Sequence, residues 1–184
     1  GSGMGKIIYV EGDLFAEIDK LSGVSVMLPH VCNNVQAWGA GFVVPLGQRF
    51  PEARDCYLNW RHKKLPLVVY NGGDRLALGE TQEVVCQDRP TFVTVFNMIA
   101  QNGLGGKRPL RYDALARCML DVVEAVQKYH NPQFHAPLFG AGLGGGNWDF
   151  IAALIEDTWL SRGVPVTIYY LKDKVPPGWT PPAS

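Results

Sequence analysis

The sequence has no surplus charge of either sign: lysine and arginine together number 17 and aspartate and glutamate 17, a formal net charge of zero. With no overall field, bulk attraction to nucleic acid or to an anionic membrane is excluded, and a polyanionic partner must be gripped locally. Cysteine is sparse too. Cys32, Cys56, Cys86 and Cys118 stand apart with no Cys-x-x-Cys pair, which argues against a zinc site or a disulfide framework and fits a reducing cytoplasm. No apolar run has the length of a membrane span and no signal-peptide pattern follows Met4, while the leading Gly-Ser-Gly reads as a cloning scar. A soluble, intracellular protein is expected, with no metal site and no cofactor. Internal repeats are absent, and so is Gly-Lys-Ser/Thr, which excludes a Walker A loop.

What is present suits one compact domain: 184 residues, 47% of them hydrophobic. "KIIYV" (6–10) and "VSVMLPHV" (24–31) read as strands, the first ended by the turn signal "EGD". Phe42, Leu46, Phe50, Ala53 and Tyr57 recur at helical spacing, with Pro51 set to break or kink that helix. "ALGETQEVVCQD" and "TFVTVFNMIAQ" are partly alternating and β-branched, and "DRP" between them suggests a hairpin. Cys118, Met119, Val122, Val123 and Val126 form one apolar face of a helix over residues 112–129. "QFHAPLF" is then a strand, Asn147 the N-cap of a helix ending near "SRG", and "PVTIYYL" the last strand. The tail over 173–184 is proline-rich and is expected to be extended or mobile. Strands alternating with helices, plus one hairpin, predict an α/β layered fold on a mixed sheet, with ligands gathering where strands end and helices begin.

The most unusual stretch is "FGAGLGGGNWDF" (139–150), which places five glycines in eight positions between a strand and a helix. Successive peptide N–H groups in such a turn can converge on one anion, and the following helix N-terminus adds partial positive charge. A phosphate or pyrophosphate is the expected guest; a tightly packed turn is the alternative. Gly140, Gly142 and Gly145 also satisfy Gly-x-Gly-x-x-Gly, yet a dinucleotide fold carries that motif at its first strand, with an acidic residue about 20 positions on. Here the loop lies late in the chain, and "PVTIYYL", the one strand after it, holds no carboxylate. A second cluster, "CNNVQAWGAGF", sets Asn33 and Asn34 beside Gly39 and Gly41, and asparagine amides suit a sugar's hydroxyls.

Taken in order, "YVEGDLF", "HVCNNVQAWGAGFVVPLGQRFPEA" and "PLFGAGLGGGNW" resemble the adenine-binding turn, distal-ribose loop and pyrophosphate loop of a macro domain, over about Lys6 to Leu171. The resemblance implies a three-layer α/β/α domain spanning residues 4–172, with ADP-ribose in a cleft at the sheet's edge. By it, Asp13 would accept from the adenine amino group and the Leu14 amide would meet the ring. Asn33, Asn34, Gly39 and Gly41 would line the distal ribose. The backbone of Gly140, Ala141, Gly142, Leu143, Gly144, Gly145 and Gly146 would wrap the pyrophosphate, with Phe42 or Trp148 against a sugar or base.

"GDLF", "WGAGF" and "PVTIYYL" are similar to the class that holds terminal ADP-ribose protein glycohydrolases and chromatin-remodeller macro domains. Glycohydrolases of that class use a lysine and an aspartate, whose places here fall near Gln101 and at Gly145, and Lys107 reads as a solvated loop lysine. The Asn-Ala-Asn of another hydrolytic class is replaced by Cys32-Asn33-Asn34. Hydrolysis of an ADP-ribosyl linkage on protein or nucleic acid would then rest on a positioned water, with Asn34, Gln101 and the backbone of Gly142–Gly144 as the candidate groups. A non-catalytic reader of ADP-ribose or ADP-ribosylated targets, and a phosphatase acting on ADP-ribose phosphate, stay open as alternatives. His30 reads as a hydrogen-bonded structural residue, His135 as a packed one, Asp149 as complementing a helix dipole, and "WRHKK" (60–64) as a solvated face.

Overall fold

The computed structural model describes residues 5–60, 76–106 and 109–183, together with the backbone of 69–70 and 73–74. Its centre is a six-stranded sheet in the order β1-β8-β7-β2-β6-β5. The strands are β1 (Ile8–Glu11), β2 (Ser25–Asn33), β5 (Thr81–Gln87), β6 (Phe92–Gln101), β7 (Pro132–Ala136) and β8 (Val166–Tyr170). Val69–Tyr70 (β3) and Gly73–Asp74 (β4) pair separately. Five of the six run parallel, and β5 closes one edge antiparallel to β6, as the hairpin reading requires.

Burial on both faces explains the composition of the inner strands. Val26 and Leu28 pack with Val93, Val95 and the helices α1 (Leu14–Ile18), α2 (Val43–Arg49) and α3 (Pro51–Leu58), whereas Met27, Phe96 and Met98 pack against α4 (Tyr112–Val126) and α5 (Trp148–Thr158). Alternate residues of one strand thus face opposite layers, so the run is apolar throughout rather than alternating. Trp159, stacked on Phe134 with ring centroids 3.9 Å apart, donates its indole N–H to Met119 O at 2.9 Å. The helix read across Phe42 to Tyr57 is two helices, because Pro51 takes the first position of α3 and Phe50 between them leaves helical geometry. Asn147 caps α5 through Phe150 N at 3.0 Å.

The tail is docked rather than loose. Pro176 is buried, and Trp179 lies against Tyr9 and Tyr170 at 5.5 and 5.7 Å between centroids. Apolar aromatic area outweighs the extended preference of the prolines around it. Lys107 and residues 61–64 of the basic run lie outside the described residues. Among the described residues no helix is long and apolar enough to cross a membrane.

The topology opens a crevice in the middle of the sheet. β2 pairs with β7 only over Ser25–Met27, and Pro29, which has no N–H to donate, lies beyond that span. Past this point the chain leaves β2 toward α2 and α3 on one face and leaves β7 toward α5 on the other. Adjacent strands whose connections depart to opposite faces leave a gap at their carboxyl ends, where open α/β sheets hold ligands.

Candidate functional site

That gap is a cleft of about 950 Å³, within the range of small-molecule and cofactor sites. It is built from the carboxyl ends of five strands: Gly12 to Phe15 after β1, His30 to Asn33 at the end of β2, Gln101 of β6, Pro137 to Gly140 after β7, and Tyr169 to Leu171 of β8. The cleft lies at the carboxyl ends of the central strands rather than along an edge strand of the sheet. Gly39, Gly41 and Phe42 close one side; Gly142, Leu143 and Gly144 close another.

Four of the expected glycine-loop positions, Gly140, Gly142, Leu143 and Gly144, line the cleft, and among the described residues their backbone N–H groups have no protein acceptor. The other loop amides are used to build the turn. Ala141 N donates to Leu138 O (3.3 Å), Gly145 N to Gly142 O (3.1 Å) and Gly146 N to Gly140 O (2.8 Å). Ala141, Gly145 and Gly146 therefore shape the loop and do not line the cleft. The glycines differ in what excludes a side chain. A Cβ on Gly146 would lie 2.6 Å from Gly140 O and 2.4 Å from Leu110 Cδ2, whereas a Cβ on Gly142 would meet no protein atom within 4 Å. Packing forbids the first substitution, while at Gly142 the space is open to whatever enters the cleft.

At the β1 end, Asp13 caps α1 by accepting from Phe15 N at 3.3 Å, and Gly12 N donates to Tyr170 O at 2.9 Å, tying the ends of β1 and β8. Asp13 and Leu14 both line the cleft. Phe15, which sequence reasoning passed over although it follows "GDL", stacks on Phe42 at 5.7 Å and 10°, so Phe42 meets an aromatic partner at the cleft wall. Trp148 does not line the cleft. Buried to 2% exposure, it donates from Nε1 to Tyr9 Oη at 2.9 Å and meets Phe139 edge-on.

The two asparagines of the second cluster are occupied by the fold. Asn33 Oδ1 accepts from Val35 N and Ala37 N at 3.1 Å each and from the Tyr57 hydroxyl at 2.8 Å, while its Nδ2 donates to Ala37 O at 2.9 Å. Gln36, at φ 58°, donates its amide to Tyr57 O, Leu58 O and Trp60 O at the end of α3. These bonds hold the loop that presents Gly39 and Gly41. Asn34 lies outside the cleft lining, donating to Asn102 Oδ1 (3.1 Å) and accepting from Gly103 N (2.9 Å). Its amide is thereby spent on the turn after β6, which sequence spacing gives no means to foresee. Gln101 lines the cleft, with Nε2 donating to Gly103 O at 3.0 Å.

His30 sits in the cleft lining, 2% exposed, with Nε2 2.5 Å from Asn97 Oδ1. Because Asn97 Nδ2 donates to Ala53 O and Gln82 Oε1, its Oδ1 faces the imidazole, so Nε2 carries the proton and Nδ1 is left as an acceptor, with the Cys32 thiol 3.9 Å from it. Burial lowers the His30 pKa to about 4, so the ring is neutral at pH 7. The neighbouring Cys32 thiol is held well above its ordinary pKa by burial, and stays protonated. His135, also lowered to about 4 by burial, sits between Gln133 Oε1 (3.1 Å) and the Tyr169 hydroxyl (2.8 Å) and so steadies a cleft-wall side chain. Asp149 lies exposed in the first turn of α5. Among the described lining residues the acidic and basic side chains are Asp13 and Lys174, the latter from the segment read as an extended or mobile tail. Among the described residues no cluster of His, Cys, Asp or Glu is arranged to hold a metal.

No protein-family model matches the chain. It is 30% identical to an uncharacterized 17.5 kDa protein of the tk–vs intergenic region of phage T4, over 84% of this chain and 90% of that protein. An ADP-ribose 1''-phosphate phosphatase of Candida albicans is 26% identical over 82% of this chain and 92% of its own. A macrodomain protein from Streptomyces coelicolor superposes with a TM-score of 0.69 at 34% identity, over 90% of this chain and 99% of that one. The chain belongs to the macrodomain family.

Proposed function

We propose that this chain binds ADP-ribose in the cleft, with the diphosphate on the glycine loop. The observation that carries the reading is the run of cleft-lining amides at Gly140, Gly142, Leu143 and Gly144 that no protein oxygen satisfies. N–H groups left without acceptors are costly unless water or a ligand serves them, and a diphosphate supplies several strong acceptors at once. The adenine then falls toward Asp13 and Leu14 and the distal ribose toward Gly39, Gly41 and Phe42. The name of the Candida relative supports an ADP-ribose-type ligand. Four cysteines without a disulfide support a reducing compartment such as the cytoplasm.

The same cleft would receive ADP-ribosylated protein or nucleic acid through its distal ribose. A second reading, hydrolysis at that ribose, has one structural observation in its favour: His30, neutral and held by Asn97, is among the residues that line the cleft. The substrate would be ADP-ribose 1''-phosphate or an ADP-ribosyl linkage. Calorimetry with ADP-ribose against ADP, AMP and NAD tests the first reading, and equal affinity for all four, or for none, defeats it. Incubation with ADP-ribose 1''-phosphate and with ADP-ribosylated protein and DNA tests the second. Release of phosphate or ADP-ribose above a blank establishes hydrolysis; binding without release leaves a reader.

A further inference from the structure

We infer that the segment after β8 is part of the ligand site: Trp179 anchors a strap that holds Lys174 at the cleft as a cation for the phosphate-bearing part of the nucleotide. This rests on the ADP-ribose reading above and adds a residue to it. The strap begins at cleft-lining Tyr170 and Leu171, turns through Lys174 N to Leu171 O at 2.9 Å, passes buried Pro176 and turns again through Trp179 N to Pro176 O at 3.2 Å. Trp179 is then seated between Tyr9 and Tyr170, one on the edge strand β1 and the other on its neighbour β8. Two short turns and an aromatic anchor restrict where Lys174 can lie, and it is among the residues that line the cleft.

The distribution of charge points the same way. The protein as a whole is neutral, so no distant field compensates a doubly charged ligand. Within the cleft the glycine loop contributes dipoles and Asp13 contributes a negative charge, which leaves Lys174 as the full positive charge among the described lining residues. Gly12 N to Tyr170 O, 2.9 Å, places the root of the strap beside the Asp13 turn. An ammonium there offsets Asp13 and meets the phosphate nearer the nucleoside. The anchor also reaches the glycine loop, since Tyr9, which packs on Trp179, accepts from Trp148 at the start of α5.

The test is ADP-ribose titration of the whole protein and of Lys174→Ala, Lys174→Arg, Trp179→Ala, Trp179→Phe and the double alanine variant, at low and moderate salt. Lys174→Ala should weaken binding about fivefold to tenfold, the range for a charge-assisted contact discounted for an exposed side chain, and should flatten the salt dependence. Lys174→Arg should stay near wild type. Trp179→Ala should lose at least as much, and adding Lys174→Ala to it should cost nothing further, because an unanchored lysine already contributes nothing. Trp179→Phe, which keeps the aromatic seat, should restore most of the affinity. A Lys174→Ala variant that binds like wild type, or a double variant whose losses simply add, overturns this inference alone. Wild-type protein that takes up no ADP-ribose overturns the underlying reading as well.

Discussion

Gly142 offers the sharpest separation of fold from ligand. Replacing it with valine adds a Cβ that meets no protein atom within 4 Å, at a backbone position outside the left-handed region, so the folded state should accept it. Its stability cost should stay within about 0.5 kcal/mol, as for an unconstrained surface site. The ligand, in contrast, loses its closest approach to the backbone. Each N–H bond to a phosphate oxygen is worth roughly 1.5–3 kcal/mol, so pushing the diphosphate off two of the four free amides should cost about 3–6 kcal/mol of binding, on the order of a hundredfold to ten-thousandfold in Kd. Gly146→Ala is the complementary control. Its Cβ would press on Gly140 O at 2.6 Å, a backbone atom, and should destabilise the fold by about 1–3 kcal/mol. Urea unfolding and ADP-ribose calorimetry on both variants are the assay. Wild-type affinity in a folded Gly142→Val protein would refute the placement of the anion, and so would a collapse of stability there with Gly146→Ala unaffected.

Two further outcomes follow from the cleft's polar groups. Asp13→Ala removes both the α1 cap on Phe15 N and the expected adenine acceptor; it should cost about 1 kcal/mol in urea unfolding and roughly 1.5–3 kcal/mol in ADP-ribose affinity, and unchanged affinity would remove adenine from this turn. His30 and His135 have pKa values lowered to about 4 by burial, so below the unfolded value of about 6.5 the unfolded chain binds more protons and stability falls as pH drops. Between pH 7 and 5 each should account for about 2 kcal/mol, a loss that His135→Gln should roughly halve in urea titrations; a flat profile over that range would mean that both rings are accessible to protons in the folded state.

Much of the fold was legible because periodicity reports burial locally: the apolar stripe of α4, the β5–β6 hairpin and the Asn147 cap each depend on residues close in sequence. The loops that line the cleft were legible for the same reason, since glycine and asparagine clusters mark turns wherever they occur. Which atoms of those loops remain available was not. Asn33 and Asn34 look alike in sequence, yet both are drawn into the scaffold by partners as distant as Tyr57 and Asn102. Lys174 reads as part of an extended or mobile tail in sequence, and only the fold brings Trp179 against Tyr9 of the neighbouring strand β1. The sequence by itself determined most of the elements, their layered arrangement and a glycine turn fit for an anion. Only the tertiary structure decided which amides stay unpaired and which side chains reach the cleft, because each hydrogen-bonding group has few positions to fill and its competitors arrive from distant parts of the chain.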